Sequence, residues 1–365
     1  MKLKPKNRIT ILLFALSTLI ISLFARNSSY QQSYVEYFND ISVVEIHNLT
    51  GMIQLRNAES STEVEMKALA FFDAGELEKS RKLIEGTSLK VYKKNDTMMV
   101  FSILPVDKID KIHMRELRNP FTKKYNVEYQ NKNIMITPRS GIEHFIDFTL
   151  SVPESVEVRC LCPTAKIELE AIDFNTRFEG EFFEFSGNID ENGSMDIISD
   201  KSKGELKNIF GKFHIKSKEN NSISLKGNLS GNIDIEIGNG EVFIENIVAP
   251  KVLSVNQKAG RFVFSGNCPD SSFILFNDVT AQFDLIESGK MKIISKAGNI
   301  ELFSRVNTFD YLDIAVQREE VEYKLPKTYK IEGNGKNFIA KKDNFGDNRL
   351  LIRSSETEIE IEVFE

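Results

Sequence analysis

Apolar and polar residues alternate along most of the chain between residues 156 and 303, and the alternation recurs about every 20 residues. Alternation of this kind predicts short β-strands with one buried face. Two series of such strands are interleaved, and successive members of a series are 17 to 21 residues apart. The first series lies at 213–215, 233–235, 252, 273–275 and 291–293, and the second lies at 223–225, 242–244, 262–264, 283–285 and 300–302.

Two strands in every 20 residues, with no helix between them, predict a mainly β protein folded as a β-solenoid, similar to a β-helix. Each coil would add about 4.8 Å to the stack, and neighbouring coils would bury one another's apolar faces. Stacking of like positions predicts an internal ladder of phenylalanines, formed by Phe213, Phe262, Phe264, Phe273 and Phe283. An antiparallel β-sandwich also shows alternation but does not require a fixed step, and it stays open as the competing fold.

Residues 41–155 precede the solenoid region of 156–303 and are predicted to form a small β-rich cap with one helix near 73–85. The residues expected to cap this helix, to face inward and to end it are, in order, Asp73, Leu77 with Leu83, and Gly86. Strands are expected at 43–55 (two runs around a turn), 63–69, 88–93, 97–103, 125–137 and 145–152.

The segment at 104–125 has a different composition and is predicted to be a partly helical insertion. Pro105 and Pro120 bracket it, and its six basic residues are at positions 108, 111, 115, 118, 123 and 124. The basic residues are typical of a contact with an anionic lipid, a glycan or a partner, and equally of a solvated excursion of the chain, so both interpretations stay open.

The tail, residues 304–365, is less regular and is predicted to cap the solenoid with further strands. These strands are expected at 329–332, 338–341, 350–353 and 357–364. The segment 357–364 alternates most cleanly and is predicted to close the end of the solenoid. An uncapped end would leave a free strand edge, so self-association through the solenoid ends is an expected behaviour.

The N-terminus has the pattern of an export signal. Four basic residues (Lys2, Lys4, Lys6 and Arg8) precede the uncharged segment 9–25, which Arg26 closes. This pattern predicts a signal peptide or membrane anchor over 1–26, with its basic side in the cytoplasm. Residues 27–40 are then a linker, and the remainder is extracytoplasmic: periplasmic, on the cell surface or secreted. The sequence leaves open whether the segment is cleaved.

Several turns in the chain share the pattern Gly-x-Ile or Gly-x-Val. They are Gly51–Ile53, Gly187–Ile189, Gly231–Ile233, Gly240–Val242 and Gly298–Ile300, and a Ser-Val-Pro-Glu segment at 151–154 precedes most of them. With the unit at 44–55, they resemble a bacterial family of putative adhesins with β-strand repeats, including the head-GIN domains. The resemblance covers most of 41–303 and implies an exported or membrane-tethered β-solenoid without established catalytic residues. The insertion at 107–124 departs from the family pattern.

Composition limits the function further. The chain has 365 residues, 41% of them hydrophobic, with 27 Phe, no Trp and a net charge of −6. Such a composition is that of an ordinary globular protein. The acidic balance speaks against a general nucleic-acid-binding protein.

Candidate chemical groups are few. Cys160 and Cys162 are two apart and are predicted to be small buried residues of a strand, although a metal pair or a disulfide with Cys268 stays open. Of the four histidines, His47, His113 and His144 are scattered, and His214 is predicted to point to solvent because it lies between two apolar residues. The segment at 190–196 is predicted to be a plain turn rather than a calcium loop. No catalytic, cofactor-binding or metal-binding residue is therefore assigned.

Two acid pairs, Glu179 with Glu181 and Glu358 with Glu360, are predicted to face one side of their strands. Parallel β-helix enzymes that act on polysaccharides place carboxylates in this way. The leading hypothesis is instead a noncatalytic, adhesin-like or cell-envelope interaction protein that binds a protein or glycan partner and contacts the membrane through 9–25. The alternatives are a polysaccharide-active β-helix enzyme and a self-assembling, bactofilin-like scaffold.

Overall fold

The computed structural model describes residues 29–59, 62–113, 124–137, 140–287, 289–318, 321–343 and 346–364. The chain is mainly β, as predicted, and it divides into two compact units. Unit one comprises 1–34, 69–89 and 102–146, and unit two comprises 35–68, 90–101 and 147–365. The predicted export segment at 1–26 lies outside the described residues. Within those residues, no helix is both long enough and apolar enough to cross a bilayer.

Unit two is built on two tracks of parallel strands, here called track A and track B. Track A begins with the short strands β2 (Val43–His47), β11 (Glu157–Leu161), β13 (Asn175–Glu179), β15 (Ser194–Ser199) and β17 (Lys212–Ser217). Track B begins with β3 (Met52–Asn57), β12 (Thr164–Ile172), β14 (Phe182–Ile189), β16 (Lys201–Ile209) and β18 (Asn221–Asn228). Five longer strands then run through both tracks: β19 (Asn232–Val248), β20 (Val252–Gly266), β21 (Ser271–Leu285), β22 (Lys290–Arg305) and β27 (Arg349–Phe364).

Along both tracks, residues that pair between consecutive strands from β11 to β22 are 18 to 20 positions apart in the sequence. In track A, for example, Phe213 pairs with Ile233, which pairs with Leu253. The paired residues in these examples are buried. A nearly constant step therefore stacks apolar side chains in columns, which is how each strand buries its inner face.

The register corrects part of the predicted phenylalanine ladder. Phe213, Phe262, Phe264 and Phe283 are buried as predicted, but Phe273 is 39% exposed and points outward. Four apolar residues in a row occupy 273–276, so alternation alone does not select which of them face inward. The structure buries the other pair, Ile274 and Phe276, because a shift of one residue turns a strand over.

A second correction concerns the pairing of Phe283. The predicted series placed it opposite Phe262, but it pairs with Phe264, and Phe262 pairs with Ala281. The step from Phe262 to its true partner is 19 residues, which restores the regular spacing.

The tracks start earlier in the chain than residue 156. Strand β2 pairs in parallel with β11, and β3 pairs in parallel with β12, across 114 residues of sequence. The segment 43–57 therefore belongs to the tracks, and the predicted boundary at 155 is not a structural one. The other partner of β3 is β10 (Ile142–Val152), and that of β2 is β6 (Thr97–Ile103).

The helix α1 (Leu77–Glu85) lies within unit one and begins four residues later than predicted. Asp73 does not cap it, because its carboxylate accepts a hydrogen bond from the Gly75 backbone nitrogen at 2.9 Å. Leu77 is exposed rather than inward-facing, whereas Leu83 is buried as predicted. The predicted end at Gly86 is confirmed.

The remaining strands before the tracks include one that replaces the predicted linker. They are β1 (Ser29–Asn39), β4 (Glu63–Asp73), β5 (Ser88–Lys94), β7 (Lys111–His113), β8 (Tyr125–Tyr129) and β9 (Lys132–Thr137). The linker expected at 27–40 is a strand over most of its length. Its aromatic residues favour a strand, but only Phe38 is buried, so the sequence shows no alternation there.

The described part of the predicted insertion contains a single 3-10 turn at Val106–Lys108 and the strand β7. Strand β7 pairs in parallel with β9 and with β10. Residues 114–123, which carry half of the six basic positions, lie outside the described residues.

The tail departs from its predicted order. It forms β23 (Tyr311–Val316), β24 (Val321–Lys324), β25 (Lys330–Gly333) and β26 (Asn337–Lys341) before reaching β27. Strand β27 pairs with β22 on one side and with β23 and β24 on the other. The segment 357–364 therefore does not close the end, and 350–353 belongs to the same strand. Beyond β23, β26 pairs antiparallel with β23 and with β25.

Candidate functional site

A polar groove of about 420 Å³ lies on the outer face of track B, where β10, β3, β12 and β14 are neighbours. The register places Thr149, Gln54, Glu168 and Ser186 in one row across these four strands. The residues on either side of Gln54 are buried, so the row points outward. Strand alternation thus builds a row of hydroxyl, amide and carboxylate groups along the groove.

Hydrogen bonds hold this row in place. The Thr149 hydroxyl donates to Gln54 Oε1 at 3.1 Å, and Gln54 Nε2 donates to Glu168 Oε2 at 2.9 Å. Lys166 Nζ lies 2.8 Å from the other oxygen of Glu168. At the rim, Arg56 Nε donates to the Ser151 hydroxyl at 2.7 Å. The groups are therefore oriented in advance, which lowers the entropic cost of binding a polar ligand.

The end of the groove depends on close backbone packing at Gly187. Its φ of +138° is a conformation that side-chain-bearing residues rarely adopt, and a Cβ there would lie 2.1 Å from the Leu169 carbonyl oxygen. Beside it, Asn57 Nδ2 donates to the Ala171 carbonyl at 2.8 Å and Asn57 Oδ1 accepts from the Asp173 backbone nitrogen at 2.9 Å. Only glycine at 187 fits this close approach.

A second cluster lies on the outer face of track A around His214. The prediction that His214 points outward is confirmed, because its side chain is 36% exposed while both sequence neighbours are buried. Its Nδ1 is 2.6 Å from Asp196 Oδ1, and its Nε2 is 3.9 Å from Asp234 Oδ2. Both partners stand opposite His214 on adjacent strands, 18 and 20 residues away. The sequence analysis missed this cluster, although the 20-residue step predicts the Asp234 neighbour.

The same cluster is the one group among the described residues with the spacing of a cation site. One ligand atom each from His214, Asp234 and Glu236 lies within 4.8 Å of the others. Asp196 holds the opposite ring nitrogen, as carboxylates do behind metal-binding histidines. However, Lys216 Nζ is 2.9 Å from Glu236 and competes for that carboxylate. The cluster therefore already forms a closed network of ion pairs.

The three cysteines are buried and free of disulfides. The interpretation of Cys160 and Cys162 as small buried residues is confirmed, and Cys268 pairs with neither. Burial raises the pKa of Cys162, and likewise that of Cys268, to about 12. These thiols are therefore poor nucleophiles and poor metal ligands near neutral pH.

The other histidines occupy unrelated sites. His47 Nε2 is 2.6 Å from Glu45 and its ring stacks on Phe101 at 4.1 Å. His144, in unit one, is fully buried, and burial lowers its pKa to about 4. These rings serve packing in their own parts of the fold.

The predicted acid pairs have different outcomes. Glu358 and Glu360 do face outward together on β27. Glu179 ends its strand and bonds Arg177, whereas Glu181 lies outside any strand, so the prediction that they share a strand face is wrong. At 190–196 the Gly193 backbone nitrogen donates to the Asp190 carbonyl at 3.1 Å, which confirms the plain turn.

No protein-family model and no curated protein matches this sequence. Among solved structures, the chain is similar to a putative cell adhesion protein from Clostridium sporogenes, at 11% identity over 92% of this chain and 99% of that chain, with a TM-score of 0.17. It is also similar to a putative adhesin from Parabacteroides merdae, at 9% identity over 92% and 96%, with a TM-score of 0.34. A third is a putative lipid binding protein from Parabacteroides distasonis, at 10% identity over 92% and 97%, with a TM-score of 0.29. TM-scores of this size do not establish a common fold.

Proposed function

We propose that the chain is a noncatalytic β-solenoid of the bacterial cell envelope, with an adhesin-like role, and that it binds a glycan through the polar groove of track B. The hydrogen-bonded row of Thr149, Gln54 and Glu168 carries this proposal. Sugar hydroxyls both donate and accept hydrogen bonds, and this row offers both kinds of group in fixed positions.

The solenoid part of the proposal is supported by the register. Parallel pairing with a step of 18 to 20 residues recurs along both tracks from β11 to β22. In a solenoid each coil contacts only its neighbours, and like positions stack in columns. Buried columns such as Ile223, Val242 and Phe262 agree with that arrangement.

The location in the envelope is supported by the sequence of 1–26. Basic residues followed by an uncharged segment of signal-peptide or anchor length direct a chain out of the cytoplasm. Protease treatment of intact cells, followed by detection of a C-terminal tag, tests this location. Cleavage in intact cells supports surface display, and cleavage only after the outer envelope is opened supports an internal envelope site. Protection until the inner membrane is lysed would contradict the envelope proposal.

The glycan proposal is tested with the full chain on an array of bacterial and host glycans, followed by titration of the best ligand. Gln54→Ala and Glu168→Ala should each weaken binding by roughly tenfold, because each removes an oriented hydrogen-bonding group. Gln282→Ala is the matched control, since Gln282 is also an outward residue of track B but lies outside the groove.

Binding that is unaffected by the Gln54 and Glu168 substitutions, or that Gln282→Ala weakens equally, would contradict the proposed site. Absence of any glycan ligand, together with capture of a protein that requires Gln54, would replace the glycan by a protein partner.

A further inference from the structure

The two halves of β27 carry opposite charges on their outer faces. Its track A half presents Arg349, Leu351 and Arg353, and its track B half presents Glu358, Glu360 and Glu362. The residues between these are largely buried, so alternation directs all six outward. The same pattern continues on the strands beside β27.

On track A, the outward residues of β21, β22 and β27 form a basic face. Register places Phe273 beside Lys292 and Leu351, and Leu275 beside Ile294 and Arg353. Lys290 pairs with Arg349 in the next column. The basic face is therefore defined by Phe273, Leu275, Lys290, Lys292, Ile294, Arg349, Leu351 and Arg353. It combines four cations with exposed apolar surface.

Internal neighbours neutralise the basic face only in part. Asp313 pairs with Arg353 at 2.7 Å, and Asp347 lies 3.7 Å from Lys290. The Asp347 side chain is 81% exposed, so its ion pair is weak. Lys292 Nζ lies 5.4 Å from the centre of the Phe273 ring. A positive and partly apolar surface remains.

On track B, the outward residues of β22, β27 and β24 form an acidic face. Glu301 pairs with Glu360, which pairs with Glu322, so three carboxylates stand side by side on adjacent strands. The acidic face is defined by Asn299, Glu301, Phe303, Glu322, Lys324, Glu358, Glu360 and Glu362. Five glutamates face a single lysine within it.

We propose that the basic face of one copy of this chain binds the acidic face of a second copy. This inference deepens the proposed function, on which it rests, by naming a second copy as the occupant of these faces. The contact joins two different surfaces, so it is heterologous and can extend from copy to copy. It differs from association through the strand edges at the ends of the tracks.

Complementary charge is the first argument for a second copy. Within one copy, Lys290 stands opposite Arg349 and Glu301 stands opposite Glu360. Like charges placed directly opposite on neighbouring strands are destabilising. Covering each face with the other relieves both repulsions at once.

Matching spacing is the second argument. Both faces are built on the same two strands, β22 and β27, so cations and carboxylates repeat with the same strand separation of about 4.8 Å. Each face also offers exposed apolar surface: Phe273 is 39% exposed on the basic face, and Phe364 is 47% exposed beside the acidic face. Phe364 stacks near Phe303, with ring centres 6.4 Å apart.

Sedimentation velocity of the full chain tests the proposal. In salt of about 50 mM the sedimentation coefficient should rise with protein concentration, and in about 500 mM it should return to the monomer value, because salt screens the contact. Lys292→Glu with Arg349→Glu should weaken association by roughly 100-fold, and Glu301→Lys with Glu360→Lys should do the same. Lys212→Glu with Glu241→Lys is the control, because both are exposed, outward residues of the same tracks beyond the two faces.

Mixing the two double variants provides the decisive measurement. Each alone should be monomeric, but the first keeps its acidic face and the second keeps its basic face, so the mixture should form a 1:1 complex. Circular dichroism of each variant establishes that it is folded. A monomeric wild-type chain at low salt, unchanged association of either variant, or no complex in the mixture would overturn the proposal.

Two further readouts separate this proposal from its neighbours. Vesicles of phosphatidylglycerol and phosphatidylcholine report on a lipid occupant. If a monomeric wild-type chain binds them and the Lys292 and Arg349 variant does not, an anionic lipid surface occupies the basic face and the proposal is wrong. Glycan binding by the groove is measured independently with the Gln54 variant, so failure of either proposal is visible without the other.

Discussion

The early strands (β11 to β18) and the late strands (β19 to β22, with β27) share the same pairing but organise their surfaces differently. Early strands are 5 to 9 residues long and belong to one track each, whereas late strands are 15 to 17 residues long and run through both tracks. On the early outer face Arg177 lies near both Glu179 and Asp196. On the late strands cations and carboxylates are separated onto different tracks.

Glycine explains how the late strands turn from one track into the other without a break. Gly260 has a φ of +109°, and a Cβ there would lie 2.0 Å from the Gly240 carbonyl oxygen. The two glycines pair across β19 and β20, so the backbones approach closely where the strands bend. The comparison teaches that interior columns set the register, while outward positions are free to carry distinct chemistry.

The largest effect is expected from a comparison of inside with outside in the late strands. Phe262→Ala should lower the free energy of unfolding by about 3 to 5 kcal/mol, because Phe262 is fully buried against Phe276 and Phe283. Phe273→Ala should cost about 1 kcal/mol or less, since that ring is partly exposed. Urea unfolding of both variants measures the difference. Equal losses would mean that the assigned orientation of 273–276 is wrong.

A smaller effect is expected where an early column needs a small residue. Gly204 pairs with Phe185, and a Cβ at 204 would lie 2.4 Å from a carbon of that ring. Gly204→Ala should therefore lower the free energy of unfolding by about 1 to 3 kcal/mol through overpacking. The late strands place Ala281 beside Phe262, so a small residue follows a phenylalanine in both sets. A neutral or stabilising Gly204→Ala would show that the early column has spare room.

The smallest effect is expected on the early outer face. Arg177→Ala should cost about 0.2 to 1 kcal/mol in urea unfolding, because exposed ion pairs contribute little, and the loss should shrink as salt is added. Lys292→Ala on the late basic face serves as the comparison. Its ammonium group lies over Phe273, so its loss should be less sensitive to salt. An equal salt response in the two variants would remove the distinction between the two outer faces.

Much of unit two could be predicted from its alternation and step, because turn glycines and buried apolar residues recur at nearly fixed spacing. Orientation failed at 273–276, where apolar residues occupy both faces of the strand. The groove could not be predicted, because Gln54 meets Thr149 across 95 residues and Glu168 across 114. The His214 and Asp234 pair was predictable in principle, since their separation equals one step.

The position of β27 was likewise hidden from the sequence, because its order in space differs from its order in the chain. Its supporting contacts with β23 and β24 are parallel pairings that reach backwards along the sequence. No alternation pattern records such a reversal. Only the pairing partners reveal it.

That reversal has a consequence for how the protein is made. During synthesis β23 and β24 emerge before β27, yet the strand that joins them to β22 is β27 itself. Until it arrives, the growing chain exposes the edge of β22, which is a template for wrong pairing with other nascent chains. Premature termination in the loop before β27 would leave that edge permanently open, so truncated products should be prone to aggregation and a natural substrate for quality-control proteases.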